Sequence, residues 1–405
     1  MARGRVSLST GTSKGLVLDL IRTLGPVSRT DLAAETGLTA ATMSNVVRQL
    51  LDEGLIHEAG LGRPNGGRPV VLLEVDTSAR YAVGLQLGAE SITYVVVNLR
   101  GAVVGRLRAP GVGASEPTEM IAALVAQIRH ILLGLGIDEQ LVVGIGVVAP
   151  GPVDVARGMV IGPTHMDAWH NVPLRDLIAE ATGLPVVFDN DATAAALGDF
   201  WGGATEGARA HATVYMGLGV GAGVLIDGTV FRGASSNSAE LGHIVIATDA
   251  SGRRLIAEDL ADPTAVVRAA HEHPDEVGRL GLAGDEFAQF TALAKASTRG
   301  DEFATGLLEE SARHLATAVT SLANLFDLDS ITLAGPAFAI AGSIYLKVID
   351  SQVNADFFAR SQHGIRVKLS PQMQDAAAVG AATLVLQSEL APRTMGLAPH
   401  HSLVQ

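Results

Sequence analysis

The stretch Phe188–Gly203, FDNDATAAALGDFWGG, gives the clearest indication of the fold. The apolar run Leu184–Phe188 predicts a buried strand, and the alanine-rich run after it predicts a helix, so Asp189, Asn190 and Asp191 stand where the strand ends. In an open α/β sheet a ligand binds beyond the carboxyl ends of the strands, and carboxylates and amides suit the hydroxyls of a small polyol. The alternative is a helix N-cap, which Asn and Asp also favour, and one of the three is expected to serve as the cap.

Composition limits the classes of protein to consider. The chain has 405 residues, of which 48% are hydrophobic and 18% charged, as in a globular protein of two or three domains. Because it contains no cysteine, disulfides, thiolate zinc sites and cysteine nucleophiles are excluded. No uninterrupted apolar run approaches the roughly 20 residues that span a bilayer, and the amino terminus lacks the apolar middle of a signal peptide. We therefore expect a cytoplasmic protein without a membrane partner.

Charge separates the first 75 residues from the rest. The net charge is −13, yet residues 1–75 contain 8 basic and 7 acidic side chains, against 21 and 35 in the remainder. The amino-terminal segment is thus a separate electrostatic unit, and the acidic total does not exclude nucleic acid as its partner.

That segment has the pattern of a helix-turn-helix. Lys14–Leu24 predicts an amphipathic helix, Ser28 and Asp31 predict a capping box for a second helix that ends at Gly37, and Thr39 predicts the cap of a third helix reaching Glu53. The third helix has one apolar face and one polar face. Small, amide and guanidinium side chains on that polar face are suited to base edges and phosphates in a major groove. The candidate DNA-binding residues of this helix are Thr42, Ser44, Asn45 and Arg48.

A basic hairpin follows the third helix. Leu55–Ala59 and Val70–Val75 predict two strands, and the loop GLGRPNGGRP between them carries Arg63 and Arg68, each in a Gly-Arg-Pro triplet. We interpret the hairpin as a β-wing whose arginines enter a minor groove. The alternative is an ordinary solvated hairpin.

Strands and helices alternate after a short linker at residues 76–78. The pattern of strand, Gly-rich turn, strand and turn occurs twice, from Tyr81 and again from Ala212 through the turn GLGVGAG. Two related α/β lobes with a cleft between them are therefore expected. Further helices are predicted at Pro263–His273, Asp285–Ala296 and Glu302–Leu325, with a terminal helix at Gln374–Leu390 that returns to the first lobe.

Four motifs resemble those of the ROK family of repressors, open reading frames and sugar kinases. They are GIGVVAPGPVD at 144–154, DNDATAAALGDFWGG at 189–203, GLGVGAG at 217–223 and SAELGH at 238–243. The resemblance covers nearly the whole chain and implies an α/β, two-lobed actin-like ATPase (sugar kinase) fold preceded by a winged helix-turn-helix domain. The corresponding domains are residues 1–76 and 77–405.

The resemblance also implies a set of sugar-binding residues. Carboxylates accept hydrogen bonds from vicinal hydroxyls, whereas Asn and His both donate and accept, so the residue types agree with that role. For Glu240 and His243 the alternative is a surface turn. The residues that match the family's sugar pocket are Gly151, Asn190, Asp191, Glu240, His243 and Glu258.

The nucleotide and metal motifs of the family are altered. In kinase relatives the residue matching Asp191 is the catalytic base, but Gln86 and Glu90 here replace the Asp and Thr of the first phosphate motif, and Leu218 replaces a Thr of the second. Phosphoryl transfer depends on positioning and charge neutralisation, so these changes oppose nucleotide binding. The Cys-rich zinc loop that often follows the Gly-His pair is missing. We therefore expect no catalytic residues, no metal and no cofactor.

These observations predict a sugar-responsive transcriptional regulator, most simply a repressor, that acts as a homodimer or homotetramer on a pseudo-palindromic operator in double-stranded DNA. The effector is a sugar or sugar derivative. One alternative is an active ATP-dependent sugar kinase with a DNA-binding appendage, and another is a binding module whose partner is a transporter protein.

Overall fold

The structure, a computed structural model, describes residues 10–65, 68–113, 115–162, 166–205 and 207–390. The first unit consists of α1 (Thr10–Leu24), β1 (Val27–Ser28), α2 (Arg29–Thr36), α3 (Ala40–Asp52), β2 (Ile56–Asn65) and β3 (Arg68–Val75). The sheet order is β1-β3-β2. Ser28 and Asp31 form the predicted capping box of α2, and the Thr39 side chain accepts from the Thr42 backbone at the start of α3. The apolar face of α3 is buried, so its polar face points outward.

The wing differs from its prediction. Arg63 lies inside β2 and Arg68 is the first residue of β3, and the two strands pair out to Asn65 and Arg68. Much of the predicted ten-residue loop is therefore strand, and residues 66 and 67 lie outside the described residues. The register shifts near Gly60 and again after Gly62. Pro64, which has no amide hydrogen to donate, falls in this second shift of the edge strand β2.

Lobe 1 is a five-stranded sheet with helices on its faces. Its elements are β4 (Tyr81–Gln86), β5 (Ser91–Asn98), β6 (Val103–Pro110), α4 (Pro117–Leu135), β7 (Val142–Ala149), β8 (Val153–Asp154), β9 (Met159–Val160), α5 (Leu174–Thr182), β10 (Val186–Asn190) and α6 (Asp191–Trp201). The order is β10-β7-β4-β5-β6, with β10, β7 and β4 parallel and β5 and β6 antiparallel. α4 is long and apolar enough to cross a bilayer, but its buried side chains belong to the core of this lobe.

Lobe 2 contains the remaining elements except the last helix. They are β11 (Ala210–Met216), β12 (Val220–Ile226), β13 (Thr229–Val230), β14 (Val245–Thr248), β15 (Arg254–Ile256), α7 (Ala257–Ala261), α8 (Pro263–His271), α9 (Pro274–Leu280), α10 (Glu286–Thr298), α11 (Glu302–Phe326), β16 (Ser330–Ala334), α12 (Pro336–Asp356) and β17 (Arg366–Leu369). The last helix, α13 (Ala376–Glu389), returns to lobe 1. The sheet order β13-β12-β11-β16-β17 repeats that of lobe 1 strand for strand, so the predicted pair of related lobes is present.

Some predicted boundaries need correction. The motif GLGVGAG is a turn only at Gly217–Gly219, because β12 begins at Val220 and continues through its last glycines. Helix α8 ends at His271 rather than His273. The longest element that the sequence pattern missed is α12, whose even mixture of apolar and small residues gives a weak amphipathic signal.

α13 packs on lobe 1 as predicted, and glycines allow very close approach. A Cβ added to Gly84 or Gly146 would lie 1.9 Å from a carbonyl oxygen of α13, and one added to Gly380 would lie 1.7 Å from the Ala194 carbonyl of α6. The backbones of β4, β7, α6 and α13 therefore touch directly, and no larger residue fits these three positions.

The winged helix is attached to lobe 1 by contacts as well as by the chain. Arg22 of α1 lies with its guanidinium carbon 3.8 Å from the ring centroid of Trp201, the last residue of α6. Arg100 Nη2 is 2.6 Å from Glu74 Oε1 of β3. Buried side chains of β3, β5 and α13 form one continuous cluster across the junction. These contacts hold the winged helix against the end of α6.

Candidate functional site

A cavity of about 260 Å³ lies between the lobes, at the carboxyl ends of β4, β7 and β10 and beside the turn between β11 and β12. This volume is slightly below the range of about 300–1,000 Å³ that is usual for small-ligand pockets. All six residues predicted for sugar binding line it: Gly151, Asn190, Asp191, Glu240, His243 and Glu258. Their roles as ligand contacts stay predictions.

Asn190 is the one of the three strand-end residues that caps α6, and it keeps one polar group for the cleft. Its Oδ1 accepts from Thr193 N at 3.1 Å, which caps α6. Its Nδ2 faces the other way: a Cβ added to Gly151 would lie 3.1 Å from this atom and 3.5 Å from Glu240 Oε1. The bare backbone at Gly151 thus leaves space where an amide donor and a carboxylate acceptor meet.

Asp189 does not face the cleft, contrary to the prediction for the strand end. It is almost fully buried, and its two oxygens bind Arg232 Nη1 and Nη2 at 3.1 and 2.6 Å. A bidentate pair of this kind fixes geometry in addition to neutralising the charge. Arg232 belongs to lobe 2, so the pair fastens the segment that leads to Glu240 onto the end of β10.

Asn237 is a second residue that the sequence pattern missed. Its Oδ1 accepts from Val153 N at 2.8 Å and its Nδ2 donates to Val153 O at 2.9 Å, so it binds the loop after β7 to the segment before Glu240. Ala239, next to Glu240, has a φ of 60°, a conformation that residues with a Cβ seldom adopt. Such backbone persists where the surrounding contacts enforce it, as at ligand sites.

Glu258 and His243 come from neighbouring short helices of lobe 2. Glu258, in the first turn of α7, accepts from Val220 N through Oε1 at 2.8 Å. This bond holds the Glu258 carboxylate against the start of β12. It uses only Oε1 and does not involve Oε2. His243 ends a 3-10 helix, Leu241–His243, and its side chain is exposed at the edge of the cleft.

Burial raises several carboxyl pKa values in and around the cleft. Burial, with a further contribution from the Glu240 charge, raises the pKa of Asp191 to about 6 despite a backbone hydrogen bond from Ala192. Burial also raises the pKa of Asp262, the N-cap of α8, to about 7. The pKa of Glu240 is raised mainly by burial, while His243 opposes the shift. The Arg268 charge partly offsets the shift of Asp262, as His243 does that of Glu240, and burial outweighs both.

The other end of the cleft, where the family's phosphate motifs lie, is closed by a bond between the lobes. Gln86 Nε2 at the end of β4 donates to the hydroxyl of Tyr215 in β11 at 2.6 Å. Glu90 and Leu218 line the same end. Tyr215 was not singled out by the sequence, because only the fold brings it next to Gln86. Within the described ranges no group of three or more His, Asp or Glu side chains is placed to hold a metal ion.

The predicted DNA-binding residues of α3 lie on its exposed face. Thr42, Ser44, Asn45 and Arg48 are all exposed, and Thr42 Oγ1 is 3.0 Å from Thr39 Oγ1 at the cap. Arg63 and Arg68 stand near the tip of the hairpin; Arg68 is paired with Asn65, and Arg63 lies in the irregular stretch of β2 between Gly62 and Asn65. Helix and wing positions together are those from which a winged helix meets a duplex.

A winged helix joined to a two-lobed body with a polar interlobe cleft defines a class: a winged-helix protein built on a sugar-kinase fold. Residues 82–388 match the sequence profile of the ROK family, and residues 13–58 match that of the MarR family. The chain belongs to the ROK family.

Relatives of both functional types match this chain. The xylose repressor of Caldicellulosiruptor bescii is 26% identical over 396 residues, which cover 96% of this chain and 98% of the repressor. The glucokinase of Halalkalibacterium halodurans is 30% identical over 322 residues, 77% of this chain and 97% of the kinase. A ROK family transcriptional regulator of known crystal structure, a homologue of the Escherichia coli MLC protein, has a TM-score of 0.75 and 26% identity over 94% of this chain and 98% of its own. The repressor similarity thus includes the winged helix, whereas the kinase similarity covers about three quarters of the chain.

Proposed function

We propose that this chain is a sugar-responsive, DNA-binding transcriptional regulator, a cytoplasmic repressor of genes for carbohydrate uptake or catabolism that a sugar releases from its operator. One observation carries the proposal: helix α6 begins with Asn190 and Asp191 at the cleft and ends with Trp201 against Arg22 of the winged helix. A ligand site and a DNA-reading unit are thus connected by one helix. Residues 1–76 serve as the DNA-binding domain and 77–405 as the sugar-binding body.

In this proposal the sugar hydroxyls replace water around the polar groups of the cleft. Asn190 Nδ2 donates, and Asp191, Glu240 and the second oxygen of Glu258 accept. His243 closes the open side, and Gly151 supplies backbone without a side chain. An analogue that lacks one hydroxyl leaves a buried polar group unpaired, at a cost of about 1–3 kcal/mol.

The response follows from the position of α6 between the two sites. The sugar binds both lobes, so it favours the closed arrangement over the open one by its extra contacts. Closure displaces the amino-terminal end of α6, and the far end moves the winged helix through Trp201 and the adjoining core. In a homodimer or homotetramer, the paired recognition helices then no longer match the spacing of a pseudo-palindromic operator. Coupling of this kind amounts typically to about 1–3 kcal/mol.

A second candidate function is ATP-dependent sugar phosphorylation. It is favoured by Asp191, because a pKa of about 6 suits a general base that takes a proton from a sugar hydroxyl near neutral pH. Against it stand the Gln86–Tyr215 bond and the Glu90 carboxylate at the phosphate end of the cleft. The winged helix also has no part in such a reaction.

The experiment begins with selection of bound duplexes from a random DNA library by the full-length protein. Affinity for the selected duplex is then measured by fluorescence anisotropy with and without saturating sugars, and ATP consumption is measured on the same samples. We expect one enriched palindromic site and a sugar that lowers affinity about 5–150-fold, which corresponds to the coupling above. Sugar-dependent ATP turnover with no enriched site would instead establish the kinase.

A further inference from the structure

The interlobe cleft is strongly acidic. Five carboxylates line it: Glu90, Asp191, Glu240, Glu258 and Asp262. Among the described residues of the lining, none is a lysine or an arginine, and His243 is the only basic side chain. A ligand in this cleft therefore meets acceptors on both lobes and, apart from one imidazole, no cation.

The guanidinium groups around the cleft already have other partners. Arg268, whose charge lowers the pKa of Asp262, donates to the backbone carbonyl of Asp259. Arg232 is held by Asp189 behind the end of β10, as described above. Arg108, whose charge acts on Tyr215, donates to Asp375 Oδ1 at 2.6 Å and also to Gln374. None of these arginine side chains lines the cleft, so a ligand there contacts none of them directly.

Glu90 stands on a turn that is fixed in place. The backbone of residues 88–90 accepts three hydrogen bonds of 2.8–3.0 Å from the amides of residues 111–113. The turn therefore holds the Glu90 carboxylate at the end of the cleft next to the Gln86–Tyr215 bond. A phosphate at this end of the cleft would lie near this carboxylate and the buried phenol of Tyr215, and no lysine or arginine is among the described residues that line the cleft.

We propose that the effector is a monosaccharide without an acidic substituent, neutral or carrying an amine, and that Glu90 and the Gln86–Tyr215 bond make the site reject sugar phosphates and sugar acids. This inference rests on the proposed sugar-binding function and specifies its ligand class. The raised carboxyl pKa values of Asp191 and Asp262 agree with it, because a cleft that resists its own negative charges also resists that of a ligand.

The test uses pairs of sugars that differ only in charge. Binding of glucose and glucose 6-phosphate, glucose and glucuronate, and N-acetylglucosamine and its 6-phosphate is measured by calorimetry on the full-length protein. Glucosamine is the amine probe, and the readout is the ratio of dissociation constants within each pair. The variants are Glu90→Gln and Glu90→Lys. Matched controls are Glu119→Gln and Glu119→Lys on the exposed side of α4, outside the cleft.

In the wild type we expect the acidic member of each pair to bind at least tenfold more weakly than its partner. That ratio should fall stepwise in Glu90→Gln and Glu90→Lys, and the Glu119 variants should keep the wild-type ratio. Equal or tighter binding of a sugar phosphate by the wild type overturns this inference but leaves the sugar response standing. Failure of every sugar to bind refutes the proposed function, and the ligand class with it.

Discussion

At the scale of single residues, Asp191 combines a ligand role with a cost in stability. Its pKa is raised from 3.8 to about 6, so between these values the folded protein binds more protons than the unfolded chain. The protonated carboxyl therefore favours folding fully below about pH 4, and this contribution is lost as the pH rises through about 6. At neutral pH the ionised group opposes folding.

We predict that Asp191→Asn raises the free energy of unfolding by about 1–3 kcal/mol at neutral pH and by little below about pH 4. The same change removes the sugar response and leaves DNA affinity intact, because the residue lies far from α3. Urea unfolding across this pH range, with Glu119→Gln as the control, checks the first part. Anisotropy with sugar checks the second, and a normal release of DNA by the variant would contradict it.

Asn45 gives a prediction for base recognition. An exposed amide on the outer face of α3 can bond an adenine edge, so Asn45→Ala should weaken cognate binding by about 1–3 kcal/mol and random-DNA binding by little. Arg48→Ala is the matched comparison, since loss of a phosphate contact weakens both kinds of duplex. Equal losses on both duplexes in Asn45→Ala would rule out base reading at this position.

The sequence could identify site residues only where a local motif marks them. The motifs identified six residues that the fold brings to one cavity, and residue type predicted a cap at one of Asp189, Asn190 and Asp191, which the structure places at Asn190. Asp189 was wrongly expected in the cleft because its partner, Arg232, lies 43 residues away in another lobe. Tyr215, which is 129 residues from Gln86, and Asn237 likewise depend on tertiary pairing.

At the scale of elements, α6 is the link between sugar and DNA. Its 11 residues extend roughly 16 Å at 1.5 Å per residue, from the cleft to the Arg22–Trp201 contact. A cation–π contact is worth about 0.5–2 kcal/mol, a large part of a typical coupling energy.

We therefore predict that Trp201→Ala keeps sugar affinity but reduces the effect of sugar on DNA affinity about threefold or more, which is roughly the contact's share of the coupling. Trp201→Phe retains an aromatic ring for Arg22 and should retain most of the effect. Calorimetry measures sugar binding and anisotropy measures the coupled DNA affinity. A full response in Trp201→Ala would mean that the signal travels by another route.

The wing gives an element-scale prediction of its own. If Arg63 and Arg68 enter a minor groove, replacing either with alanine should weaken binding most on A·T-rich flanks and reduce the salt dependence by about one ion. A salt titration on cognate and flank-swapped duplexes measures both effects. Both arginines lie in strands rather than in the predicted loop, and Arg68 is paired with Asn65. Sequence pattern missed this, because Gly and Pro signal a turn even where an edge strand tolerates them.

At the scale of the whole molecule, the arrangement of the two lobes was predictable because the repeat of strands and Gly-rich turns is visible in the sequence. The junction with the winged helix was not, because it depends on buried side chains from three distant segments that form one cluster. The hydrophobic pattern of a sequence predicts the type of each element, but it does not predict which elements pack against each other.

We predict that the functional unit is a homodimer or a higher even oligomer. One winged helix reads too few base pairs for specific recognition, whereas two related by a twofold axis read half-sites about 10 base pairs apart or a multiple of it. Analytical ultracentrifugation with a full operator and with a half-site duplex measures the stoichiometry. A monomer that binds a single half-site with full affinity would contradict this prediction.

The close seating of α13 has a consequence for synthesis of the protein. Ribosomes make the winged helix first and α13 last, yet α13 supplies part of the buried cluster beneath the winged helix and fills the glycine-lined surface of β4 and β7. A chain that stops before residue 376 exposes that apolar surface, which is the usual signal for chaperones and proteases. We therefore expect a nonsense mutation late in the gene to produce a degraded fragment and not an operator-binding protein that ignores sugar.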